Sequence, residues 1–281
     1  MNALIHYDQV SFAYADGTQA LEKMSLSIER GQKVAFLGAN GSGKTTAFLL
    51  MNGLLKPLEG RILYDGTLLS YREKALRELR KKIGIVFHDP DTQIFANSVF
   101  EEISFGPKNL DLDDATVRTR VEEALRVCDI ADLRHKPPHF LSFGQKRLVT
   151  IASILAMQSD VIVLDEPTSG LDHLHARHLL TLLNTINAQG KTIIFSTHDA
   201  DLALEFADVG YILKGGQIVR QGEITGLFQD YHALQEAHIA VPYVLDLYQT
   251  MVERALLPAQ ATPPRTLQQL KSVLVNDREM Q

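Results

Sequence analysis

The octapeptide Gly38-Ala39-Asn40-Gly41-Ser42-Gly43-Lys44-Thr45 has the form G-x-x-x-x-G-K-[ST], a pattern whose chemistry is to hold phosphate. Glycines let the backbone curl until its N–H groups point inward at phosphate oxygens, and a helix start behind them adds a favourable dipole. Lys44 is then placed to reach the terminal phosphates of a nucleotide, Thr45 to coordinate Mg²⁺, and Thr46 to complete the binding run. A second chemical signal is Val161-Ile162-Val163-Leu164-Asp165-Glu166, an apolar run that ends on two carboxylates. Asp165 fits the metal shell and Glu166 the attacking water, which a carboxylate can orient and deprotonate.

These groups need a scaffold that brings them together. Lys33–Leu37 precedes the glycine-rich loop and helix-compatible residues Thr46–Asn52 follow it, which gives the strand–loop–helix context. Further short β-rich runs at Ile83–Phe87, Val161–Leu164, Thr192–Ser196 and Val209–Leu213 alternate with helical periodicity, the rhythm of an α/β fold with a largely parallel sheet. Between the second and third runs, Ala115–Val127 and Lys146–Met157 show helical spacing without a strand, so this stretch reads as a helical insertion. After Gly222 the strand rhythm stops. The tail carries weakly amphipathic pieces broken by Pro242, Pro258, Pro263 and Pro264 and reads as a separate appendage.

Composition sets outer limits. The chain has 281 residues, 28 Lys+Arg against 34 Asp+Glu, a net charge of −6 and 45% hydrophobic residues, which excludes a mini-protein and a disordered chain. Net acidity without long basic clusters argues against a protein that coats nucleic acid, because displacing counterions needs positive charge. The one cysteine, Cys128, allows no intramolecular disulfide and fits a reducing compartment. No apolar run reaches the ~18 residues of a membrane span, and residues 1–8 lack a signal pattern.

Leu141-Ser142-Phe143-Gly144-Gln145 lies 18 residues before Val163-Leu164-Asp165-Glu166-Pro167, and Ser169-Gly170-Leu171-Asp172 and Thr197-His198-Asp199 follow. This ordered set resembles the ATP-binding cassette (ABC) ATPases, over about Ile5 to Gly222. Taken by itself, Ser142-x-x-Gln145 is a capping box that opens a helix, and both readings hold together. The resemblance implies a P-loop ABC-type nucleotide-binding domain at residues 1–226, with an N-terminal antiparallel β part and a helical subdomain at about 89–158. It also implies a C-terminal extension at 227–281 that holds two subunits together. MgATP would lie between the phosphate loop of one subunit and Ser142, Gly144 and Gln145 of another, in a homodimer or a paralogous ATPase dimer. Asp172 would contact the partner, His198 would report the γ-phosphate, and Tyr14 would stack on adenine, a contact that aromatic faces make well.

Two positions depart from the family pattern. Phe143 stands where the signature usually has a glycine, and a left-handed backbone there would strain phenylalanine by roughly 1–2 kcal/mol. His88 stands where the family has a glutamine that links the metal to the transporter contact; imidazole can bond water or metal, and His88 is expected to take that catalytic and metal-linked role.

Phe87-His88-Asp89-Pro90-Asp91-Thr92-Gln93-Ile94-Phe95 and Glu101-Glu102-Ile103-Ser104-Phe105-Gly106-Pro107 are similar to the ATPases of energy-coupling-factor importers, the cobalt/nickel branch above all. This implies a peripheral ATPase at the cytoplasmic face of the membrane, partnered by a membrane-embedded coupling protein and a substrate-binding membrane component. Ile94, Phe95, Val99 and Phe100 are expected to offer that partner apolar anchors. His173-Leu174-His175-Ala176-Arg177-His178 is not read as a metal site, because on a helix His173 points about 200° away from His175 and Arg177 adds a repelling cation. The competing class is a soluble ABC ATPase acting on nucleic acid or translation, disfavoured by the net acidity and by a single cassette without a coiled-coil insertion.

Overall fold

The computed structural model describes residues 3–257 and 263–279. In chain order the elements are β1 (Ile5–Ala13), β2 (Gln19–Ile28), β3 (Lys33–Leu37), α1 (Lys44–Met51), β4 (Glu59–Tyr64), β5 (Thr67–Leu68), α2 (Glu73–Lys82) and β6 (Ile83–Val86). Then come α3 (Val99–Lys108), α4 (Asp114–Val127), α5 (Phe143–Ala156), β7 (Val161–Leu164), α6 (His173–Ala188), β8 (Thr192–Thr197), α7 (Ala200–Phe206), β9 (Val209–Lys214) and β10 (Gln217–Glu223). The chain continues with α8 (Ile224–Leu227), α9 (Tyr231–Glu236), α10 (Tyr243–Glu253) and α11 (Leu267–Glu279).

Two sheets form the body. One is antiparallel, in the order β2-β1-β4-β5. The other runs β10-β9-β3-β8-β7-β6, parallel except for the edge hairpin β9–β10. Side chains alternate across a strand, and the central strands bury both faces: Val34 and Phe36 of β3 face the cluster shared with the antiparallel sheet and α1, while Ala35 and Leu37 face the helices. β7 divides the same way, with Val161 and Val163 on the first side and Ile162 and Leu164 on the second. Across the first cluster Phe36 and Phe48 meet edge to face at 5.1 Å. Full burial of such side chains stabilises by about 1.5–3 kcal/mol each.

Helices α3, α4 and α5 form the insertion between β6 and β7, and side-chain caps start each of them: Ser98, Asp113 and Ser142. The expected row of surface anchors divides here. Val99 is fully buried and Phe100 packs partly against the core because α3 turns them inward, and Ile94 in the preceding loop is partly buried against the same core. Phe95 alone of the four is well exposed, edge to face with the also exposed Phe105 at 4.7 Å.

The C-terminal segment is docked onto the cassette. Leu234, Leu245, Tyr248 and Leu270 belong to the same apolar cluster as Leu204 and Phe206 of α7. Pro242 caps α10, whereas Pro258 lies outside the described residues. No helix among the described residues is long and apolar enough to cross a membrane.

Candidate functional site

The phosphate loop joins β3 to α1 and needs its glycines. Gly43 has φ +104, and a Cβ there would lie 2.7 Å from the Ala20 carbonyl oxygen; Gly38 has φ +153, and its Cβ would meet the Leu213 carbonyl oxygen at 2.5 Å. No side chain caps the first turn of α1, so its N–H groups remain available to phosphate oxygens. The loop forms one wall of a cleft of about 490 Å³, lined also by Tyr14, Thr18, Gln19, Ala20, His88, Asp165 and Glu166. Asn40, Gly41, Ser42, Gly43, Lys44, Thr45 and Thr46 all line it, whereas Gly38 and Ala39 lie behind the lining and accept from the Lys44 ammonium through their carbonyls at 2.7 and 3.1 Å.

Lys44 is buried, which pushes its pKa down, while Glu166 and Asp165 oppose that shift. Its Nζ is 3.9 Å from Glu166 Oε1. The opposite wall is a chain of hydrogen bonds. Thr45 Oγ1 donates to Asp165 Oδ2 at 2.7 Å, Ser196 Oγ donates to Asp165 Oδ1 at 2.5 Å, and the Glu166 N–H donates to Ser196 Oγ at 2.8 Å. Glu166 has φ +47, a left-handed backbone that is costly for a non-glycine residue and persists where the surroundings impose it. Its Oε2 lies 3.1 Å from His198 Nδ1, while Oε1 is buried without a hydrogen-bond partner, as is Ser42 Oγ. Tyr14 is 40% exposed, packs edge-on against Phe12 and bonds Thr46 through its hydroxyl at 2.9 Å. His88 is exposed at the rim, with Nε2 3.3 Å from Ser169 Oγ.

Ser142, Gly144, Gln145 and Asp172 are not in this cleft. Ser142 Oγ accepts from the Gln145 N–H at 3.3 Å and Gln145 Oε1 accepts from the Ser142 N–H at 3.0 Å, a complete capping box. Gly144 packs where a Cβ would reach Leu171 at 3.4 Å. Asp172 caps α6 by accepting from the His175 N–H at 2.9 Å and sits 2.8 Å from His175 Nδ1; these bonds, the backbone one first, lower its pKa. The condition for strain at Phe143 is not met: it is the first residue of α5, its φ is not positive, and its ring lies against Gly170 and 5.3 Å from the Arg147 guanidinium. With Ser142 taking the non-helical cap position, Phe143 needs no left-handed backbone. His173, His175 and His178 form no metal-binding cluster, and none of three or more such ligands occurs among the described residues.

Three further residues hold the site from outside the motifs. Ser196, fully buried, ties the Asp165 carboxylate and the Glu166 backbone N–H to β8. Arg147, also fully buried, donates to the carbonyls of Phe87 and His88 at 2.8 and 2.6 Å and so joins α5 to the His88 loop. Gln93 holds the same loop, accepting from the Phe87 N–H at 3.1 Å and donating to the Ile85 carbonyl at 3.2 Å. Arg147 had a signal: it shares the buried face of α5 with Ile151 and Ile154, and a charge in an apolar helical stripe needs a partner.

A parallel sheet with a glycine cradle at the end of β3 and a carboxylate pair at the end of β7 defines a P-loop nucleotide-binding ATPase. Comparison with known proteins takes this further. Residues 21–169 match the family model described as ABC transporter. The chain is 42% identical over 257 residues to the energy-coupling factor transporter ATP-binding protein EcfA of Methanocaldococcus jannaschii, covering 92% of each. It is 41% identical to the cobalt import ATP-binding protein CbiO of Rhodobacter capsulatus, covering 95% of each. It spans 58% of the length of another curated relative, a putative ABC transporter ATP-binding protein of Methanosarcina mazei that is 42% identical. The structure of cbiO1 from Clostridium perfringens, part of the ABC transporter complex cbiONQ, superposes with a TM-score of 0.77 at 37% identity, over 91% of this chain and 99% of that one. The chain belongs to the ABC transporter ATP-binding family, whose subunits hydrolyse ATP and act as dimers.

Proposed function

We propose that this chain is the ATP-hydrolysing subunit of an energy-coupling-factor type importer for cobalt or nickel ions, working as a head-to-tail pair at the cytoplasmic face of the membrane. One observation carries the pairing: the phosphate cleft and the Ser142/Gly144/Asp172 face lie on separate parts of one chain, each fully formed, and neither lines the other. A second copy, inverted, brings the face of one onto the cleft of the other. The α5 N-terminus and the Ser142 hydroxyl then add donors around the γ-phosphate.

Within the cleft the phosphate-loop N–H groups and Lys44 hold the triphosphate, and Tyr14 at the mouth presents its ring to the adenine. Thr45 and Asp165 are hard oxygen donors converging at 2.7 Å, a set suited to Mg²⁺, which takes one or two protein oxygens plus phosphate oxygens. When bound there, Mg²⁺ neutralises charge on the β- and γ-phosphates. Glu166 Oε1, unpartnered in the cleft, orients the attacking water. As the water oxygen bonds to the γ-phosphorus, the bond to the β–γ bridging oxygen breaks and Glu166 takes the water proton. His198 holds Oε2 and so sets the carboxylate's rotation. At the rim His88 takes the place of the glutamine, and the exposed Phe95–Phe105 pair beside its loop offers an apolar anchor to a membrane coupling protein. The cobalt reading is supported by the similarity to the cobalt import ATP-binding protein CbiO.

The test is metal accumulation by cells carrying the chain with its membrane partners. Co²⁺ or Ni²⁺ uptake is expected to stop with Lys44→Ala; undiminished uptake would contradict the reading.

A further inference from the structure

Helix α7 is too short to hold itself. It has seven residues, Ala200–Phe206, far below the ~12–15 at which isolated helices become even marginal in water. It begins right after His198, with Asp199 as its N-cap. The His198 side chain is 69% exposed, and among the described residues it bonds Glu166 alone, at 3.1 Å, so the position of its ring follows from where β8 ends and α7 begins.

The C-terminal segment grips α7 at both ends. At the C-terminal end the Arg265 guanidinium donates through Nε to the Leu204 carbonyl at 2.7 Å and through a terminal nitrogen to the Ala207 carbonyl. A cation on the last carbonyls of a helix satisfies their open hydrogen bonds and matches the helix dipole. In the first turn, Asp201 Oδ1 accepts from the Tyr243 N–H at 2.8 Å, at the start of α10. Between these grips Leu204 and Phe206 share one apolar cluster with Val244, Leu245, Tyr248 and Leu270. Arg265 is held in turn, its own N–H donating to Gln269 Oε1 at 2.6 Å.

We infer that Arg265 and the Tyr243 N–H are positioning groups for hydrolysis: through α7 they fix His198 against Glu166, so the C-terminal extension sets the turnover of the cassette it is attached to. This rests on the role given to His198 above.

The test uses the full chain and four variants. Arg265→Ala removes one grip and Arg265→Lys restores part of it. Tyr243→Pro removes the other donor while keeping a residue that suits the first position of α10, and Tyr243→Ala keeps the donor. Expected are a kcat about tenfold lower for Arg265→Ala and Tyr243→Pro, with KM for ATP within about twofold because the phosphate loop is untouched. Arg265→Lys should be intermediate and Tyr243→Ala near wild type. Without nucleotide, amide hydrogen exchange in Ala200–Phe206 should quicken about tenfold in the two weakened variants, with Lys44–Met51 unchanged. Unchanged exchange in Ala200–Phe206 would overturn the grip and leave the hydrolysis reading intact. Wild-type turnover in His198→Ala would overturn that reading and this role with it. A Tyr243→Ala variant as slow as Tyr243→Pro would also overturn it, since the side chain and not the N–H would then be responsible.

Discussion

The phosphate cleft and the Ser142 face satisfy their polar groups in opposite ways. In the cleft the bonds run between distant elements: Thr45 to Asp165, Asp165 to Ser196, Ser196 to Glu166, Glu166 to His198. On the face they are local, Ser142 with Gln145 and Asp172 with His175, each spanning three residues of one helix start. The cleft therefore depends on the whole fold to place its chemistry, while the face is prebuilt on two helix ends and needs only to be presented. In the proposed pairing each chain supplies half of two sites, so association would switch the reaction.

A single substitution acts most strongly in the cleft. Glu166→Gln keeps shape and the backbone bond to Ser196 but loses the base, so turnover should fall about 10²–10³-fold with ATP binding retained; a binding assay beside a phosphate-release assay reads both. The two regions also meet inside one chain through Arg147. Arg147→Met leaves the Phe87 and His88 carbonyls without their donor, and urea unfolding should show a loss of about 2–3 kcal/mol. No loss would mean that the signature helix and the His88 loop are held independently.

On the face, Ser142→Asp separates recognition from capping. Aspartate is as good an N-cap as serine, so stability should stay within about 0.5 kcal/mol. The added carboxylate facing the partner's triphosphate should still lower turnover about tenfold. Unchanged turnover would show that the face never meets nucleotide.

The smallest effect tests the insertion that carries the face. Burial pushes the Cys128 thiol up from 9.0 to about 12. The unfolded thiol ionises first as pH rises through that window, so this group's contribution is whole below about pH 9 and is lost toward pH 12. At pH 8 iodoacetamide should label Cys128 only at the rate of unfolding; fast labelling of the folded chain would mean that the insertion opens.

What the sequence revealed follows the same division. The phosphate loop and the Asp165-Glu166 pair are contiguous and their chemistry is local, so they could be read directly, as could the capping box at Ser142. Ser196 and Gln93 could not, since each acts on groups that only the fold brings near. Strain at Phe143 depends on whether its backbone is left-handed, and the capping box at Ser142 answers that by making Phe143 the first helical residue. Val99 is buried against its expectation because apolar residues near a partner site and apolar residues in a core look alike until a helix is oriented. The C-terminal helices are weakly amphipathic, and their burial against α7 depends on a surface that no local pattern displays.

The central claim, that one chain holds two halves of different sites, is tested most directly by ATP turnover of the purified chain against its own concentration, with sedimentation of Glu166→Gln beside it. Turnover should rise more steeply than linearly at low concentration, and the variant should dimerise on MgATP without hydrolysing it. Linear turnover from a monomer, unchanged by the substitution, would contradict the account.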